Sequence, residues 1–223
     1  MKKENLKVLY EDNHLIVVFK PAGLLVQGDA SGAICLMDIV KEYLKEKYGK
    51  PGDVFLGLVH RLDIPVSGIV LFAKTSKGAS RISEQFRSHD VSKIYTAVFE
   101  GSLPKDESVL EVYIRKDEKL RKAFVCEKMT ESAQKASLSY KVLHKEKDRT
   151  WARIELHTGR FHQIRATFAS IGHPIIGDSK YGAKMKYREG EIALCATELS
   201  FKTATGDKEI KLSLPTEEVF QFS

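Results

Sequence analysis

Apolar positions recur along the chain with two periods. Alternation and short apolar runs predict strands over residues 7–10 and 15–19, joined by the polar turn Glu11-Asp12-Asn13-His14. Residues 54–59, 69–73 and 93–100 read as further strands; the last puts Ile94, Thr96 and Val98 on one face and Tyr95, Ala97 and Phe99 on the other. Strands over 109–114, 121–126, 135–143, 150–157, 192–201 and 209–214 follow. Spacings of three and four predict a helix over 33–48, with Ile34, Met37, Val40, Tyr43, Leu44 and Tyr48 as its stripe. A second helix is capped by Thr75 or Ser76 and turns Ala79, Ile82 and Phe86 inward. A third, over 161–171, carries Phe161, Ile164, Phe168 and Ile171 on one stripe and ends at Gly172. The charged stretches 115–122 and 145–149, and the segment 46–53 with Gly49, Pro51 and Gly52, read as loops.

Strands outnumber helices, and the order is not a regular βαβ alternation. That pattern predicts an α+β fold on a mostly antiparallel or mixed sheet with few flanking helices, and argues against Rossmann and TIM architectures. No repeat and no Pro/Gly/Ser-rich linker divides the chain, so residues 1–223 read as a single domain. The longest apolar runs, such as 69–73, fall far short of the roughly 20 residues that span a bilayer. No apolar segment follows the charged start Met1-Lys2-Lys3-Glu4-Asn5, which argues against a secretory signal. Cys35, Cys126 and Cys195 are far apart and form no CxxC, as expected of a cytoplasmic protein. The net charge of +6 leans toward a polyanionic partner, an anionic small substrate or plain solubility.

Two clusters concentrate reactive side chains. His60-Arg61-Leu62-Asp63 lies between two apolar strands, in the kind of loop that carries catalytic groups on a rigid scaffold. Read from spacing alone, it is also an ordinary strand connection held by structural hydrogen bonds. The second cluster is Leu156-His157-Thr158-Gly159-Arg160-Phe161-His162-Gln163-Ile164-Arg165, where a strand ends and a helix begins. A helix start favours an anion, and Arg160 adds to that. His162 and Arg165 are expected on the helix face opposite the apolar stripe, although a plain exposed polar face has the same pattern. Metal-ligand spacing, a nucleophile elbow around Ser67, a phosphate loop and a dinucleotide fingerprint are all missing. The expectation is therefore no metal, no nucleotide cofactor and no redox carrier.

The run His60-Arg61-Leu62-Asp63-Ile64-Pro65-Val66-Ser67-Gly68-Ile69-Val70-Leu71-Phe72-Ala73-Lys74 resembles the catalytic motif of the RluA-type pseudouridine synthases. Lys20-Pro21-Ala22-Gly23, Lys93-Ile94-Tyr95-Thr96-Ala97 with Gly101, and Thr158–Arg165 followed by Gly172-His173-Pro174-Ile175-Ile176-Gly177-Asp178 and Tyr181-Gly182 are similar, in order, to that family's other motifs. Many members have Thr where this chain has Val66, and a His where it has Cys195. The S4 RNA-binding domain of some relatives is not expected, because the strand pattern starts within a few residues of Met1.

The resemblance implies a pseudouridine synthase fold with a central active-site cleft. It also implies isomerisation of a uridine in ribosomal or transfer RNA without a cofactor. The family's catalytic aspartate maps onto Asp63, which would trap or stabilise C1′ or remove a ribose proton. Arg165 would hold Asp63, and Tyr95 would stack on a uracil that is extruded or unpaired. Arg61 would fill the vacated position or touch the backbone, with His60 orienting the loop. Arg160, His162, Lys184 and Lys186, with Lys180 and Arg188 nearby, would bind substrate, several of them along its phosphates. The partner is RNA; no protein partner or membrane is implied, and the chain is expected to be a monomer. A non-catalytic RNA-binding or ribosome-assembly factor on the same fold is the alternative. A glycoside hydrolase is disfavoured because a second acid motif is not recognisable.

Overall fold

The computed structural model describes residues 5–206, 208–215 and 220, so the charges at Lys2, Lys3 and Glu4 lie outside it. The chain divides into two compact units, one reaching Val91 and including Glu198–Leu214, the other centred on Ser92–Thr197.

The first unit opens with β1 (Val8–Glu11) and β2 (Leu15–Lys20), antiparallel neighbours. Asp12 closes the turn between them: its Oδ1 accepts the N–H groups of His14 and Leu15, each at 2.7 Å. Helix α1 (Leu36–Lys47) and the short β3 (Gly57–Leu58) come next, followed by β4 (Ser67–Ala73) and α2 (Ser76–Arg87). β2 pairs with β4 along its whole length, and β3 pairs with the end of β4. Leu15 to Val18 and Ile69 to Ala73 are buried without alternation, because this part of the sheet is covered on both faces. The Thr75 hydroxyl caps α2 by accepting the Gly78 N–H at 3.1 Å.

Helix α1 departs from its expected phase. Its buried residues are Leu36, Ile39, Val40 and Leu44, while Ile34 is 69% and Tyr48 49% exposed. The N–H groups of Leu36 and Met37 donate to Leu25 O and Val26 O, which anchors the first turn to the preceding loop and fixes its rotation. Ile34 therefore falls outside the helix. The strand expected over 54–59 shrinks to two residues, because only Gly57 and Leu58 find ladder partners. Val54 and Leu56 are buried without being sheet.

The second unit contains β5 (Ser92–Glu100), β6 (Glu107–Asp117), β7 (Lys122–Cys126), β8 (Ala133–Lys145), β9 (Arg149–Leu156) and α3 (Gln163–Ser170). The antiparallel order is β5-β9-β8-β6-β7. Strand β10 (Leu194–Lys202) passes from this unit into the first, where its end pairs with β11 (Glu209–Ser213). β6 and β8 run two or three residues past the apolar pattern at their ends. Arg115 and Lys116 pair across the ladder with Phe124 and Ala123, which hydropathy does not foresee. Phe99 stacks on Phe168 of α3 at 4.0 Å between centroids, and Tyr140 meets Phe168 edge-on, forming this unit's aromatic core.

Candidate active site

In the first unit, β4 is preceded by a turn in which the Val66 N–H donates to Asp63 O at 3.1 Å. Asp63 is half-buried, with exposed Arg61 two residues before it. His60 faces inward. Its Nε2 accepts the Leu71 N–H at 2.9 Å, and its ring stacks on Phe86, so the imidazole ties the loop to β4 and α2. That leaves His60 an anchor of the loop in its local setting, with Nε2 unprotonated.

Sequence reasoning gave Lys20 no role, yet it is fully buried. Its ammonium donates to Pro21 O at 3.0 Å, Leu24 O at 2.8 Å and Ile64 O at 3.1 Å. The Gly23 N–H also donates to Ile64 O, at 2.8 Å. A buried charge is tolerated only where dipoles satisfy it, and here the carbonyls do so. The Lys20-Pro21-Ala22-Gly23 segment therefore clamps the residue that follows Asp63.

In the second unit, Tyr95 lies half-buried on β5 opposite Ile154. Two residues before it, burial pushes the Lys93 ammonium below its ordinary pKa. A Cβ added to Gly159 would stand 3.6 Å from Lys93 Nζ, which places this cation beside the 158–165 loop. That loop is held by Gln163: its Oε1 accepts from Thr158 Oγ1 and the Arg160 N–H, and its amide donates to Ser137 O. Arg160 is exposed and donates through Nε to Lys135 O.

Helix α3 differs from the amphipathic helix the sequence suggests. Gln163 through Phe168 are all buried, Arg165 among them, so no polar face is presented. His162 is not on the helix; it is the N-cap, in a left-handed conformation with φ 51° that a non-glycine residue adopts at a cost. The apolar stripe failed as a guide because Arg165 is neutralised inside. Its Nε donates to Asp178 Oδ2 at 2.7 Å and its Nη2 to Asp178 Oδ1 at 2.9 Å, a bidentate pair. The Tyr181 ring lies 5.0 Å from Arg165 Cζ, and the Tyr181 hydroxyl accepts the Ala123 N–H and meets His162 Nδ1 at 2.9 Å. His162 and Arg165 thus meet around Tyr181.

Past the helix, the chain closes as expected: Gly172, at φ 87°, donates to Ala169 O and His173 donates to Phe168 O. Gly177 has φ 85°, and a Cβ there would come within 2.7 Å of Tyr187 Cβ, so the turn into Asp178 requires glycine. Beyond the 3-10 turn Ser179–Tyr181, Glu100 Oε1 accepts the N–H groups of Lys184 and Met185. Lys184, Lys186 and Arg188 are exposed, alternating with half-buried Met185 and Tyr187. His60, Arg61 and Asp63 thus belong to one unit, and Tyr95, Arg160, His162, Arg165, Lys184 and Lys186 to the other.

Residues 14–170 match the profile of a family described as RNA pseudouridylate synthase. A protein of Aquifex aeolicus named as an RNA pseudouridine synthase is 34% identical over 82% of this chain and 59% of its own length. Ribosomal large subunit pseudouridine synthase D of Pseudomonas aeruginosa is 32% identical over 81% of this chain and 55% of its own length. The chain therefore spans little more than half of these two relatives. Among solved structures, human RNA pseudouridylate synthase domain containing 4 superposes with a TM-score of 0.78, at 25% identity over 96% of this chain and 90% of that one.

Proposed function

Because the chain belongs to the RNA pseudouridylate synthase family, we propose that it isomerises a uridine in ribosomal or transfer RNA to pseudouridine, with residues 1–223 acting as one catalytic domain. The observation that carries this is the half-buried Asp63 in its motif, on a loop fastened by Lys20 and His60. A carboxylate that must act on one ribose carbon gains most from being held still.

In this reading the N1–C1′ bond breaks and the detached uracil turns. C1′ then bonds to C5, and the C5 proton is lost while N1 gains one. Asp63 either bonds to C1′ as N1 leaves and is displaced when C5 bonds there, or removes a ribose proton and returns it as C5 adds. Arg165 donates to the Asp63 carboxylate and keeps it oriented. Tyr95 stacks on the extruded uracil. Arg61, Arg160, His162, Lys184 and Lys186 contact the RNA, with His60 serving that end through the loop it anchors. Metal and nucleotide cofactors have no step in this scheme, the protein works as a monomer, and the cytoplasm is its site of action.

Relatives named as ribosomal large subunit pseudouridine synthases support ribosomal RNA as the first substrate to try, alongside transfer RNA. The test is release of tritium from C5-labelled transcripts of ribosomal and transfer RNA, followed by mapping in a strain lacking the gene. Tritium release with a mapped pseudouridine supports the isomerase. Tight RNA binding with no release on any transcript would instead favour a binding or ribosome-assembly factor.

A further inference from the structure

We propose that Asp178 is a positioning residue for this reaction, setting the plane of the Arg165 guanidinium. The proposal rests on the reading above, in which Arg165 serves Asp63. Asp178 and Arg165 are both buried, with side-chain exposures of 1% and 5%. The pair engages the Nε/Nη2 edge of the guanidinium, at 2.7 and 2.9 Å, and so fixes the direction in which the Nη1 donors point.

Asp178 is itself held from both sides. Its N–H donates to Ile175 O, and its carbonyl accepts the N–H groups of Tyr181 and Ala183. The turn that delivers it needs Gly177. Tyr181, which lies against the guanidinium, is pinned to β7 through Ala123 N–H and to the α3 N-cap through His162.

A buried ion pair is a poor device for stability alone, since apolar residues of similar volume usually serve as well. What an apolar pair cannot do is aim a cation. With its charge balanced by Asp178, Arg165 presents its remaining donors in a fixed direction, without reorganisation during the chemical step. A lysine at 165 or a longer acid at 178 keeps the charges but loses the aim.

The test uses the whole chain with Asp178→Asn and Asp178→Glu, alone and combined with Arg165→Lys. Each Asp178 variant should lower the single-turnover rate at saturating enzyme by about 100-fold, the cost of a small misplacement, while RNA affinity stays near the parent's. In the Arg165→Lys background, Asp178→Asn should cost little more, because the two act as one device. A fully additive loss, or a loss of affinity without loss of rate, overturns the proposal. Should Asp178→Asn fail to fold, Asp178→Glu carries the same comparison. A second readout needs no activity: the Arg165 Nε–H resonance of the free protein should exchange slowly with water, and lose that protection in the Asp178 variants. Equal protection in parent and variants overturns the proposal. A parent inactive on every RNA, but with protection lost as expected, defeats instead the assigned reaction.

Discussion

In the proposed reaction Arg165 and the surface cations have different electrostatic tasks, and substitution separates them. Arg165 is buried in a bidentate pair whose geometry lysine cannot reproduce. Arg165→Lys is predicted to reduce turnover far more than RNA binding. Replacing Lys184, Lys186 and Arg188 by Gln is predicted to do the reverse, since exposed single charges meet phosphates loosely. Each lost phosphate contact should flatten the slope of log affinity against log salt by about 0.7–0.9. Rates and dissociation constants across a salt series check both. Lys20 makes a third case. Lys20→Met removes the donor from three carbonyls, including Ile64 O beside Asp63. A loss of about 1–3 kcal/mol in stability is expected for the stranded acceptors, read by denaturant unfolding, with a fall in turnover larger than the fall in affinity. The lysine was visible in the sequence as part of a motif. Its task was not, because its partners are backbone atoms that no side-chain pattern encodes.

At the scale of elements, β1, α1 and β4 converge on Glu11. Burial works to raise its pKa, but hydrogen bonds from Lys47, Lys74 and Tyr48 prevail and hold it down to about 2, against an ordinary 4.5. A depressed carboxylate stabilises the fold fully above its unfolded pKa and loses that contribution as pH falls through the folded one. Glu11→Gln should therefore lower the thermal midpoint near neutrality, and the gap to the parent should close between about pH 4.5 and pH 2. A gap that persists unchanged at the acid end would contradict the assignment. The same elements show what periodicity conveys. Strands β2, β4 and β5 were legible because their apolar runs are long and bounded by turns, and β9 because its apolar positions alternate. The phase of α1 was not, since backbone bonds to Leu25 and Val26 set it. α3 misled for a physical reason: a fully neutralised arginine can sit among apolar residues, so its charge marked no outward face.

Across the whole molecule, chain order scattered the candidate residues from His60 to Lys186, and only the ordered motifs gathered them into one assignment. Asp178, the partner of Arg165, lay in a sequence motif without a role, because pairing with Arg165 is a matter of folding rather than spacing. The proposed chemistry relies on a protein carboxylate and guanidinium. Turnover on an RNA that needs no Mg²⁺ to fold is accordingly predicted to survive EDTA and to need no added nucleotide. Loss of activity on chelation, restored by one metal per chain, would oppose that. The most direct measurement is the single-turnover rate of C5 tritium release by Asp63→Ala and Asp63→Asn on a transcript the parent modifies, at saturating enzyme. Neither variant should form pseudouridine, while both keep the fold and much of the RNA affinity. A rate for Asp63→Ala within about tenfold of the parent, a barrier change of only about 1.4 kcal/mol, would contradict it.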